Sequence, residues 1–581
     1  MKIVSKLLAV LAVVACTVAA GCENVIEVAV PEGDATEVLR AAIDEAAAFD
    51  GRPVTIRLET GDYHISRNRA ARHVYYVSNT ASAQENPDPT KHIGIWLKGL
   101  RNVVIDGNGA RFVTHGEMTP IVIDSCTNVT LKNFSLAAAD PSVPEFKVVA
   151  VDSISMTAEI TAPSRFEIAD GGFYFVGEDW RFPDERYPRL AQVFYPEENV
   201  TLRCDSPIED YSEAYTVGDN LVRFVYNSVP DVRTGEIYQF RHGIRSEVCG
   251  FINRSRDVRI ENAEFNFLGN FGLVGQFSEN ITYDNIRCRP DAGTERTNAG
   301  FADFVQMSSC KGRVRIINSY FEGAHDDPVN IHGTHLVAVA SDVPDRLTVR
   351  YMHAQTYGFL PFAAGDSVEI VNRHTLNALS SASVKNVRQL NEYDYELTLD
   401  RVVSPLPDGM NIDDLAVENI SWTPEVEISN NYFARIPTRG ILITTRGKSI
   451  IKDNVFFRMP MSAILVSDDA RGWYESGPVC DLTICGNTFF ECGSPVIAVW
   501  PEVERFDTPV HRNITIEDNR FILGEGSVAV SVRESDSIII RHNLFEIGNS
   551  DNAVSADSLV EVRNTSGFIM SDNHVEKRVG S

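Results

Sequence analysis

The chain is short of positive charge: 53 Lys and Arg stand against 80 Asp and Glu, a formal net charge of −27. Nucleic-acid partners demand clustered basic residues, so this balance excludes them from the expected partners. Beyond residue 22 no apolar run is long enough to span a bilayer. The cysteines have no paired metal spacing, and Cys480, Cys485 and Cys492 lack a histidine at finger spacing. Neither a metal nor a cofactor is expected, and the cysteines read as small buried hydrophobes. Helical periodicity is also scarce, which leaves strands and turns as the building material.

What is present begins with MKIVSKLLAVLAVVACTVAAGC, a Lys-bearing start, a short apolar run and then small residues. This reads as an export signal over residues 1–21. Ala19-Ala20-Gly21-Cys22 resembles a bacterial lipoprotein box, with Ala where Leu is usual, and predicts lipidation of Cys22. Val13 to Cys16 also fits such a box, and simple cleavage after Ala20 is the alternative. The expected destination is the periplasm or outer membrane of a bacterium, with the lipid as the one membrane contact.

The organising signal is an aliphatic residue, a polar pair ending in Asn, and an aromatic: ISNNYF at 428, IKDNVF at 451, ICGNTF at 484, IEDNRF at 516, IRHNLF at 540 and a weaker MSDNHV at 570. Earlier copies start at 131, 260, 283 and 316. A repeat of this spacing means a solenoid, and its β-branched runs make it an all-β, right-handed parallel β-helix. Asn431, Asn454, Asn487, Asn519 and Asn543 are expected to hold left-handed corners and to stack. Residues 34–49 form the one strong amphipathic helix, with Asp34 or Thr36 as its cap, placed to cover the open end. Two stretches lack the repeat and alternate like antiparallel strands. The expected order is a cap and first coils (22–136), an inserted small antiparallel, barrel-like β domain (137–250), central coils (251–335), a second inserted domain of the same barrel-like kind (336–425) and C-terminal coils (426–581).

One turn, EGAHDDPVNIHGTH at 322–335, concentrates titratable groups. Aligning coils on their aromatics puts Asn270, Asp326 and Thr438 at one angular position. Asp303 joins them when counted back from the anchor at 316. The next position holds Phe271, Phe304, Asp327 and Arg439. Asp303, Asp326 and Asp327 then converge on one outer face, where like charges push at least one pKa up and separate an acid from a base. By strand alternation Asn330 and His332 point to that face while Val329 and Ile331 point inward. Arg439, with Arg446 nearby, would supply a cation for a sugar hydroxyl or carboxylate. The plainer reading of an Asp pair at a turn is a solvated cap or a calcium ligand. His325 and His335 fit a site or a hydrogen-bonded loop equally, and Asn270 fits a ladder or a substrate contact. Trp180 and Trp473 fit sugar platforms or half-buried structural rings.

FADF at 301–304, followed one coil later by AHDDPVNIHGTH at 324–335, with the capping helix, the Asn repeat and two β insertions, resembles glycoside hydrolase family 110, the α-1,3-galactosidases. The resemblance implies an inverting, metal-independent exo-glycosidase acting on galactose-terminated glycans such as the blood-group B antigen. It places Asp303 as general acid and Asp326 with Asp327 as bases, labels that the residues alone leave exchangeable. The reading of register and strand alternation makes Asn270, His325, Asn330, His332, Arg439 and Trp473 the candidate substrate contacts. Polygalacturonases arrange aspartates comparably, so a hydrolase of acidic glycans is one alternative. A noncatalytic carbohydrate-binding β-helix is another, and a calcium-dependent lyase a third.

Overall fold

The computed structural model describes residues 24–184, 189–341, 343–402, 406, 409–548 and 554–578; the signal segment and Cys22 fall outside them. From Val54 onward the backbone winds into a parallel β-helix; its C-terminal coils each contain three short strands, and in earlier coils the first two run together, as in Arg256–Phe265. One coil shows the unit: Ser449–Lys452, Val455–Phe457 and Ile464–Val466. Each pairs in parallel with its counterparts above and below, as Ile451 with Ile428 and Ile484, or Ile464 with Ile441 and Ile497. Side chains alternate across each strand, so every second residue enters one continuous core. Phe433, Phe456, Phe489 and Phe521 stack there with centroids 4.8–5.1 Å apart.

The repeated asparagines divide their labour differently from the expectation. The left-handed residue is the one before each: Asn430, Asp453, Asp518 and His542 all have φ between 53° and 57°, and Gly486 has φ 66°. Asn431, Asn454, Asn487, Asn519 and Asn543 instead point inward as a buried ladder. Each Nδ2 donates to the next Oδ1 at 2.9–3.0 Å, ending on Asn573. The earlier coils keep the left-handed position with Asn133, Asn262, Asn285 and Asn318. Position two after the anchor turns the chain, where an Asx residue tolerates positive φ. Position three satisfies the donors that the turn leaves buried.

Helix α1, Thr36–Ala47, sits on the first coil with Leu39, Ala42, Ile43 and Ala46 buried. Its cap is Ala35, not Asp34 or Thr36. Asp34 still serves the helix start, accepting from the Thr36 N–H at 2.9 Å and from the Ser66 N–H at 3.0 Å.

Both non-repeating stretches are antiparallel insertions. The first, between strands Thr127–Ala138 and Gly250–Asn253, contains a seven-stranded and a three-stranded sheet around a core of Phe146, Phe173, Phe224 and Phe240. The coil closes across it, Gly250 pairing with Ile121. The second leaves from the end of the long strand Val329–Ala340. It closes a barrel through strands Arg346–Arg350, Asp394–Leu399, Ala378–Gln389, Ser367–Asn372 and Leu415–Asn419, the last pairing back on Leu336 and Val337. The solenoid resumes as if uninterrupted, Val329 pairing with Ile441 across 112 residues.

Candidate active site

A cleft of about 260 Å³ opens over the third face of the central coils, beside both insertions. That is below the ~300–1,000 Å³ of pockets for drug-sized ligands and suits one sugar ring at a time. Roomier depressions lie elsewhere, but the one beside His64 and His115 spends its polar groups internally, Arg67 paired with Asp179 and His115 hydrogen-bonded to Glu178.

Asp303, Asp326, Asp327, Asn330, Arg439 and Trp473 all line the cleft. The carboxylates sit on the turns just before the third strands, where backbone direction changes and side chains leave the core. Their register differs from the expected one. Leu273, Val305, Val329 and Ile441 pair in succession, and Leu268 bridges Gly300 in the same step. Asp303 therefore stands in line with Phe271, Asp327 and Arg439, not with Asn270 and Asp326. The cause is a bulge: Glu279 pairs with Lys311 but Ile281 with Val314, so one extra residue lies between Asp303 and the anchor at 316. Gly272 packs beneath, and a Cβ on it would fall 2.3 Å from the carbonyl oxygens of Asp303 and Phe304.

Electrostatics separates the three. Burial, then the neighbouring Asp326 charge, raises Asp303 well above the ordinary aspartate value despite Arg245. Burial would raise Asp326 too, but Arg203, Arg245 and Arg241 together hold it below that value. Arg203 Nη2 lies 3.0 Å from its Oδ1, and Arg245 Nη2 3.8 Å from its Oδ2. Asp327 is raised by burial against the pull of Arg439, whose backbone N–H and Nε both donate to Oδ1 at 3.1 Å. One carboxyl group shifted up and one shifted down at a single mouth is the pairing that acid–base cleavage needs.

Comparison with known proteins agrees with this chemistry. Residues 346–415, the closed barrel, match the family described as GLAA-B beta-barrel domain II. The chain is 43% identical over 522 residues to an α-1,3-galactosidase A of Bacteroides thetaiotaomicron, covering 90% of this chain and 91% of that one. It is 38% identical to one of Streptomyces avermitilis, over 85% and 82% of the two chains. The chain belongs to the α-1,3-galactosidase family. Within that family it is 28% identical to an α-1,3-galactosidase B of Parabacteroides distasonis, over 85% of this chain and 82% of that one. Among solved structures, the Streptococcus pneumoniae surface adhesin PfbA aligns over 94% of this galactosidase-family chain and 97% of its own, at 11% identity and TM-score 0.40.

The other anticipated residues of this α-1,3-galactosidase-family chain scatter. His332 is buried behind the cleft, its Nε2 3.6 Å from Glu475. His325 faces Gln239 at 3.1 Å in the seam under the first insertion, and burial with nearby arginines lowers its pKa well below the ordinary value. Asn270 is a buried left-handed corner at φ 58° and lies outside the cleft lining. His335 pairs with Asp468 at 3.1 Å, and Arg446 is held by Glu418 and Glu369. Trp180 packs on the core of the first insertion. Arg439 spends its charge on Asp327 and is not a free cation.

Sequence reasoning missed Asn79, Arg203, Arg245, Asp469, Glu475 and Glu502, all in the cleft lining. Glu475 Oε1 accepts from Asn79 Nδ2 at 2.9 Å and from Asn330 Nδ2 at 3.1 Å. One signal was available: Glu475 lies two residues after Trp473 in RGWYE. Arg203 and Arg245 come from the first insertion and its exit, where no repeat counting reaches.

Proposed function

We propose that this protein is an exo-acting α-1,3-galactosidase that hydrolyses terminal α-1,3-linked galactose from glycans such as the blood-group B antigen, with inversion. The observation that carries the reading is the opposite shift of two carboxyl groups at one mouth, Asp303 up and Asp326 down. Asp303, protonated, donates to the glycosidic oxygen as the bond breaks. Asp326, ionised, takes a proton from the attacking water on the other side of the ring, beside Asp327, which Arg439 holds in place. Inversion follows from the resemblance to family 110 and leaves the sugar as β-galactose.

An acidic-glycan hydrolase is disfavoured because the cleft arginines are already committed, Arg203 and Arg245 to Asp326 and Arg439 to Asp327. Proton NMR of the reaction on a galactosyl-α-1,3-galactose substrate tests the reading. β-Galactose before mutarotation supports it; α-galactose first would make one aspartate a nucleophile, and no release would remove the activity.

The N-terminal segment supports export, with Cys22 as the lipidated residue of a periplasmic or outer-membrane lipoprotein. Labelling with a fatty-acid analogue in the bacterial host, lost in Cys22→Ser, is the expected result.

A further inference from the structure

The cleft grades from floor to rim. Asp303 and Asp327 are 6% and 3% exposed, whereas Trp473 at the edge is 46% exposed. An exposed indole at a polar cleft needs an explanation, and its surroundings show that it is held in place. Asp469 accepts hydrogen bonds from the successive N–H groups of Arg471, Gly472, Trp473 and Tyr474. The same loop is clamped to the central coil, Gly333 pairing with Ser476 and Thr334 with Glu475, and the His335 N–H donating to the Tyr474 carbonyl at 2.9 Å. One face of the ring is backed by His353, from the inserted barrel, with centroids 4.3 Å apart and planes 32° apart. Arg203, from the other insertion, also lines the cleft, its side chain 56% exposed and paired with Asp326.

We propose that Trp473, backed by His353, is the stacking platform for the sugar that leaves, the residue to which the terminal galactose is attached. The proposal rests on the galactosidase reading. An exo-enzyme seats the terminal sugar deepest, against the buried carboxylates, so whatever follows it in the chain passes the rim. The C–H face of a pyranose packs on an aromatic ring, and an indole fixed in advance loses little entropy when it does so. Burial lowers the His353 pKa, which favours the neutral form of the backing ring. Because the platform joins the solenoid loop to the inserted barrel, that barrel acts in selecting the penultimate sugar.

The test compares two substrates of the full chain: an α-1,3-galactosyl oligosaccharide, whose leaving sugar meets the rim, and α-galactosyl fluoride, whose leaving group is too small to do so. For Trp473→Ala the ratio of kcat/KM on the oligosaccharide to kcat/KM on the fluoride should fall roughly tenfold to a hundredfold, about 1.4–2.8 kcal/mol. Trp473→Phe should recover part of the ratio, and His353→Ala should lower it in the same direction by less. Equal loss on both substrates would place the ring on the galactose itself and overturn the proposal, as would no change on either substrate. Wild type failing on both substrates would instead overturn the galactosidase reading.

Discussion

Asp327 and Arg439 are 112 residues apart in the chain and one coil apart in space, the arginine donating to Asp327 Oδ1 from both its backbone N–H and its Nε at 3.1 Å. A whole inserted barrel lies between them in sequence. The contact exists because Val329 and Ile441 pair in register on either side of it.

Substituting Asp326 and Asp303 separates their roles. Asp326→Asn should lower turnover by ~10²–10⁴-fold on both a galactosyl oligosaccharide and α-galactosyl fluoride. Asp303→Asn should lose as much on the oligosaccharide but retain far more on the fluoride, because fluoride leaves without a proton. Steady-state kinetics on the two substrates checks this, and the reverse pattern would exchange acid and base.

The pH profile should be broad. Activity needs Asp326 ionised, and its pKa is lowered, so the acidic limb falls below the ordinary aspartate value of 3.8. It also needs Asp303 protonated, and its pKa is raised, so the alkaline limb lies well above that value. Arg203→Gln removes the cation placed first among those holding Asp326 down, and the acidic limb of kcat/KM should move to higher pH.

In the ladder, Asn487→Ala leaves the Asn454 N–H and Nδ2 without their shared acceptor, along with the partners of Asn487 itself. Each orphaned buried group costs about 1–3 kcal/mol. Denaturant unfolding should show a loss of several kcal/mol, while activity of the folded fraction at low temperature stays near that of wild type, since the ladder lies on another face from the cleft.

Gly272→Ala should damage catalysis from below. Its Cβ would meet the Asp303 and Phe304 carbonyl oxygens at 2.3 Å, so the turn carrying Asp303 has to move. Overpacking of this kind costs typically about 1–3 kcal/mol, and kcat should fall further than stability alone explains. Equal kcat per folded molecule would show that the turn tolerates the shift.

The sequence by itself determined the solenoid, because a repeat states the same physical requirement at every coil. An inward aliphatic, a left-handed turn residue, a buried amide and an inward aromatic recur whether or not the coils are seen together. It also determined Asp303, Asp326 and Asp327 as a group, since residues near a repeat anchor can be counted onto a face. Tertiary structure decided what counting could not reach. One bulged residue at 311–314 moved Asp303 from the Asp326 line to the Asp327 line. His325 and His332 share a segment with the aspartates yet are buried beside Gln239 and Glu475, because what covers a strand comes from elsewhere in the chain. Arg203, Arg245, Asn79 and Glu475 reach the cleft only through packing of insertions and loops far apart in sequence. The pKa split between Asp303 and Asp326 depends on those arginines and on burial, which are properties of the assembled cleft.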